Sequence, residues 1–176
     1  MHRPGLLLFL ALLFTGCANV SVDDYQGNAP DFIPSEFFNG RLTAHGVVMD
    51  RSGRVNRYFN ADIQASWAAG VGTLDEDFLF DDGEAQKRIW TLTPTENGGY
   101  IGTAGDVVGE GQLTYAGNAV FLDYVLRIPY GDGTIDLRVD DRMYLVGDDV
   151  LINESRLTKF GVNVGRILLT IIRHPE

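Results

Sequence analysis

Thiols are almost absent from this chain: of 176 residues, only Cys17 is a cysteine. One cysteine excludes an internal disulfide, and with three histidines no Cys/His group has the spacing of a structural zinc site. Lysine is nearly as scarce, represented by Lys87 and Lys159, and Asp plus Glu outnumber Lys plus Arg by 24 to 14. A net charge of −10 argues against nucleic acid as a partner, because a phosphate backbone needs a cationic face. The longest apolar run, Leu6 to Phe14, is shorter than the roughly 20 residues a membrane-spanning helix needs. No stretch sustains a 3.6-residue period, so long amphipathic helices are not expected.

Familiar catalytic patterns are missing as well. There is no Gly-x-Ser-x-Gly elbow, and the few serines are not paired with His45 by spacing. His45 follows Arg41 and Thr43 in a strand alternation and reads as a half-exposed strand histidine. Gly105, Gly109 and Gly111 lack the Lys-Ser/Thr and the following helix of a phosphate loop, and fit a strand bend instead. Asp75-Glu76-Asp77 and Asp81-Asp82-Gly83-Glu84 lack calcium-loop spacing, so neither a metal nor a cofactor is expected.

What is present begins with an address. Arg3, the apolar run and Thr15-Gly16-Cys17 fit a secretory signal peptide over 1–16 that ends in a cysteine. The pattern resembles a bacterial lipobox, which implies lipidation at Cys17. Ala18 follows it, not Asp, and by resemblance to Gram-negative sorting this favours anchoring at the periplasmic face of the outer membrane. The acidic surface would not hold anionic lipid, so the lipid anchor is the expected membrane contact. Residues 17–35, with Gly27, Pro30 and Pro34, read as a flexible tether on which Phe32-Ile33 could dock.

Residues 36–176 alternate with period two. Phe59, Ala61, Ile63, Ala65 and Trp67 share one face, and Asn60, Asp62, Gln64 and Ser66 the other. The same rhythm runs through 120–128, 135–140 and 167–171. Gly, Asn and Asp punctuate it at 51–53, 81–83, 97–99, 131–133 and 147–149. This predicts an all-β fold of about nine or ten antiparallel strands, an up-and-down barrel closed to remove its edges. The outward Asp62, Gln64, Asp136 and Arg138 exclude a lipid-facing wall.

Charges also interrupt the apolar faces. Glu76 aligns with Leu74, Phe78 and Phe80; Arg88 aligns with Trp90 and Leu92; Asp141 continues the face of Leu137 and Val139. Buried ions need partners, so a polar cluster is expected in which Glu76 or Asp141 meets Arg88, Arg142 or Arg156. Inside an apolar cavity walled by Trp67, Phe78, Trp90 and Tyr124, such a cluster could orient a polar headgroup, with an arginine gripping a carboxylate. Small inward residues, Ala61, Ala65, Gly109 and Gly111, would leave the space.

Phe37-Phe38-Asn39-Gly40-Arg41-Leu42-Thr43-Ala44, the segments 73–90, 102–109 and 140–161 together resemble an uncharacterised family of bacterial lipoproteins, domain of unknown function 3833. The resemblance covers essentially the whole mature domain and implies a lipocalin-like barrel. His45, Phe121 and Arg142 stand where that family often has tryptophan. It also implies a link to membrane fatty-acid modification or envelope stress, but assigns no chemistry. The leading expectation is a non-enzymatic module that binds a lipid, fatty acid or other apolar ligand. The alternatives are an envelope module that contacts a protein partner and an enzyme using Glu76 or Asp141 as acid or base.

Overall fold

A computed structural model describes residues 20–175. Ten strands follow one another through the described residues: β1 (Gly40–Asp50), β2 (Val55–Ala68), β3 (Val71–Phe80), β4 (Ala85–Pro94), β5 (Tyr100–Thr103), β6 (Gly111–Ala116), β7 (Ala119–Tyr130), β8 (Gly133–Gly147), β9 (Val150–Lys159) and β10 (Val162–His174). Each pairs antiparallel with its neighbours in sequence, and β1 pairs with β10, Arg41 opposite His174, to close the barrel. The expected up-and-down barrel is therefore the observed one.

The alternation explains the closure. In β2 the side chains of Phe59, Ala61, Ile63 and Ala65 are buried, and Asn60, Asp62 and Gln64 between them face water. The outer wall is laced with exposed ion pairs such as Arg41–Asp62 and Arg138–Asp123, which suits water and not lipid. The β9–β10 connection is a two-residue turn, Phe160-Gly161, in which both residues have positive φ. That geometry matches the strand twist, and glycine takes it freely where phenylalanine does not.

The two ends of the barrel differ. At the end where β1 starts, α1 (Pro34–Phe37) and the residues beside it form a floor. Phe32, Phe37 and Phe38 are buried and meet at ring separations of 5.3–5.6 Å. The Phe32 N–H donates to the Gly117 carbonyl at 2.7 Å, and Trp67 Nε1–H donates to the Phe38 carbonyl at 2.6 Å. Before them a 3-10 turn, Val22–Tyr25, is capped by Ser21, and the Tyr25 ring lies against Phe121 and Tyr144 on the outer wall. From Val20 onward the expected tether is thus packed and not free, because its two aromatic side chains, Tyr25 and Phe32, have apolar surface to bury. The signal segment 1–16 and Cys17 lie outside the described residues.

Candidate functional site

Above the floor the barrel is hollow. A cavity of about 720 Å³ rises from Phe38, Leu113 and Ile171 to a rim at Glu84, Arg127 and Pro129. That volume lies within the roughly 300–1,000 Å³ typical of small-molecule sites. The rim belongs to the hairpins β3–β4 and β7–β8, whose charges are paired with each other or with Arg57 on the adjacent β2. Arg57 meets Asp82 and Glu84 at 3.0 and 2.9 Å, and Arg127 meets Asp136 at 2.7 Å.

Along one stretch of the wall the smallest residues meet the largest. Gly102 on β5 is paired with Gly111 on β6. A Cβ on Gly102 would lie 3.1 Å from the Trp90 ring, and one on Gly111 would lie 3.1 Å from the Tyr124 Cβ. The bare backbone lets Trp90 and Tyr124 meet edge to face, 5.2 Å apart, against this short stretch of wall. Ala61, Ala65 and Gly111 are buried as expected, but Gly109 is an exposed turn residue.

A polar cluster sits on the cavity wall. Register places Glu76 directly opposite Arg88, and their charged groups are 4.0 Å apart. Asp141, Asn153 and Ser155 project from β8 and β9, and the Asn153 Nδ2–H₂ donates to Asp141 Oδ1 and Ser155 Oγ at 3.2 Å each. All four of Glu76, Asp141, Asn153 and Ser155 are buried. Among the described residues, Asn153 Oδ1 is a buried acceptor with no partner.

Arg88 is not free to grip a ligand carboxylate. Its Nε and Nη2 donate to Asp106 at 3.0 and 2.7 Å, so the bidentate partner comes from this chain. Asp106 lies in the glycine-rich loop after β5, which the Val107–Leu126 bridge ties to β7. Period-two reasoning does not reach that loop, and so it missed Asp106. The only signal was an acid in the middle of a glycine-rich segment.

Two arginines of the expected cluster lie elsewhere. Arg142 points outward, paired with Asp140 at 2.7 Å and stacked on Phe121 at 3.9 Å. Arg156 is exposed on the outer wall. Each is one residue out of phase with the inward Asp141 and Ser155, and parity forbids the meeting. Trp67 does face inward, but it belongs to the floor against Tyr100 and Phe38 and not to the cavity wall. Phe78, Trp90 and Tyr124 line the cavity.

Electrostatics follow from this imbalance. Burial pushes Glu76 up to about 7; Arg88 opposes the shift, while Asp106 and Asp141 add to it. Burial also pushes Asp141 up to about 6 against the stabilising contacts of Ser155, Asn153 and Arg88. Tyr124 is driven well above its ordinary value by burial and then by Asp141, so it stays a neutral phenol. Burial works against the Arg88 charge, but Asp106 and the neighbouring acids hold its pKa above the usual arginine range.

The barrel is similar to the S-type phycobiliprotein lyase CPES from Guillardia theta, with a TM-score of 0.57 over 78% of this chain and 89% of that one. Sequence identity is 13%, so the likeness is one of fold. No curated protein matches the chain. A family model does, over residues 11–173, and by that match the chain belongs to the proteins of unknown function grouped as DUF3833.

Proposed function

We propose that this protein is an envelope lipoprotein that holds one elongated apolar molecule, a lipid or a lipid-like chain, inside its barrel. The observation that carries the reading is the 720 Å³ cavity, apolar along most of its wall and interrupted by one polar cluster. Burying an acyl chain there would contribute about 0.8 kcal/mol per methylene before the costs of association. A similar barrel in a phycobiliprotein lyase fits a small-molecule site in this architecture.

The anchor belongs to the same reading. Val20 follows Cys17 by three residues, and the 3-10 turn behind it contacts β6 and β7 beside the floor. A lipid on Cys17 would hold the floor end against the outer membrane and direct the mouth away from it. The test is native mass spectrometry beside organic extraction of the purified protein. A stoichiometric small amphiphile supports the reading; a homogeneous empty mass that takes up nothing from a lipid mixture rejects it.

Two other readings each have an observation behind them. Phe160 and Tyr130 stand 93% and 71% exposed on hairpins at the mouth, which favours a protein partner seated there. A protein that co-purifies with the anchored form and is lost on Phe160→Ser would support that reading. The raised carboxylates favour acid–base catalysis, which would require turnover abolished by Glu76→Gln.

A further inference from the structure

The cavity cluster has an excess of acceptors. Three carboxylates, Glu76, Asp106 and Asp141, surround a single guanidinium, that of Arg88. Two of the guanidinium nitrogens are spent on Asp106, and the third reaches Glu76 only at 4.0 Å. On the opposite side of the cluster Asp141 meets only neutral donors, Asn153 at 3.2 Å with the hydroxyls of Ser155 and Tyr124, and Asn153 Oδ1 receives no hydrogen bond although the residue is only 4% exposed. A buried acceptor without a donor forfeits the hydrogen bonds that water gave it, and a buried carboxylate without a counter-charge costs more. A ligand headgroup that relieves both must bring donors and positive charge. A carboxylate head would instead add a fourth acid beside the three already there. This reverses the expectation that an arginine grips a fatty-acid carboxylate.

We propose that the barrel selects amphiphiles with a cationic, hydrogen-bond-donating head, a protonated amine on an alkyl chain, seated between Glu76, Asp141 and Asn153 Oδ1. The inference rests on the ligand-binding reading and narrows its ligand class. The ammonium would replace the missing counter-charge for the two carboxylates and donate to the vacant amide oxygen, while the chain lies along Phe78, Trp90 and Leu122. The groups facing Glu76 that set its charge are Arg88 on β4, Asp106 on the loop, Tyr124 on β7 and Asp141 on β8, with Asp75 beside it on β3. Ammonium binding should therefore strengthen as pH rises through the range in which Glu76 and Asp141 ionise.

Calorimetric titration of residues 18–176, which contain the whole barrel with its floor and core, tests this with three probes of one chain length: dodecylamine, dodecanol and dodecanoate. At pH 7.5 the amine should bind at least tenfold more tightly than dodecanoate, with dodecanol between them. The amine should weaken at least fivefold at pH 5, and dodecanol should not. In Glu76→Gln/Asp141→Asn the amine should lose its advantage while dodecanol binds as before, which also shows that the variant is folded. Equal affinities for all three probes, or tightest binding of dodecanoate, would overturn the head selectivity and leave the cavity reading standing. Binding of none of them would overturn the cavity reading and the selectivity with it.

Discussion

The floor and the mouth of this barrel are made of the same material in opposite ways. Both ends are finished by hairpins of alternating strands. At the floor, Phe32, Phe37 and Phe38 fill the bore, and Trp67 is fastened to the Phe38 carbonyl. At the mouth the aromatics stay on the walls, Phe59 and Phe78 5.7 Å apart, and the rim charges neutralise one another in pairs. The difference teaches that a cavity here depends on where a short N-terminal segment docks, not on the strand number. A ten-stranded barrel has two openings, and this chain uses residues 20–38 to close one of them.

Removing the floor should have the largest effect. Phe32 is 2% exposed among other rings, so Phe32→Ala should cost about 3–5 kcal/mol, read as a lowered denaturation midpoint. A loss below about 1 kcal/mol would mean that the segment is not holding the barrel shut. Next in size is Glu76→Gln. Glu76 and Asp141 have folded pKa values of about 7 and 6, above their ordinary 4.5 and 3.8, so the folded state keeps protons that the unfolded chain releases. That contribution is complete below about pH 4 and is lost as pH rises towards 7. Stability should therefore fall between pH 4 and pH 7.5, and Glu76→Gln should flatten the fall and gain on the order of 2 kcal/mol at pH 8. An unchanged pH profile would show that Glu76 is solvated.

Smaller effects sharpen the contrast further. Gly102→Val places methyl groups against the Trp90 ring and should cost about 1–3 kcal/mol, with weaker uptake of apolar probes. At the mouth, Phe160→Asn should stabilise by about 1 kcal/mol, because asparagine accepts the left-handed backbone and little packing is lost from a 93% exposed ring. Arg142→Ala and Arg156→Ala should leave ligand retention unchanged, since both side chains lie on the outer wall.

Much of this was legible in the sequence, because a strand's period of two states which face each residue takes. Phe78, Trp90, Tyr124, Glu76, Arg88 and Asp141 were placed inward by it, and the structure brings them to one cavity. Parity says nothing of height along the bore. Trp67 continues the face of Ile63 and Ala65, but it stands near the end of β2 and so joins the floor. Parity also applies only within strands: Asp106, which takes up the Arg88 guanidinium, sits in a loop and carries no phase. Arg142 and Arg156 were candidates by charge although their phase pointed outward, and phase prevailed because an outward strand position has no route into the barrel.

The two tryptophans allow the most direct test of the central claim that the mouth end is an open ligand cavity and the floor is filled. Trp90 lines the cavity, and Trp67, half-buried, is hydrogen-bonded into the floor at the other end. Brominated alkyl amphiphiles quench indole emission only on contact. Read singly, in Trp67→Phe and Trp90→Phe, the Trp90 emission should be quenched to saturation and the Trp67 emission should not change. Quenching of both to the same extent, or of neither, would contradict the account.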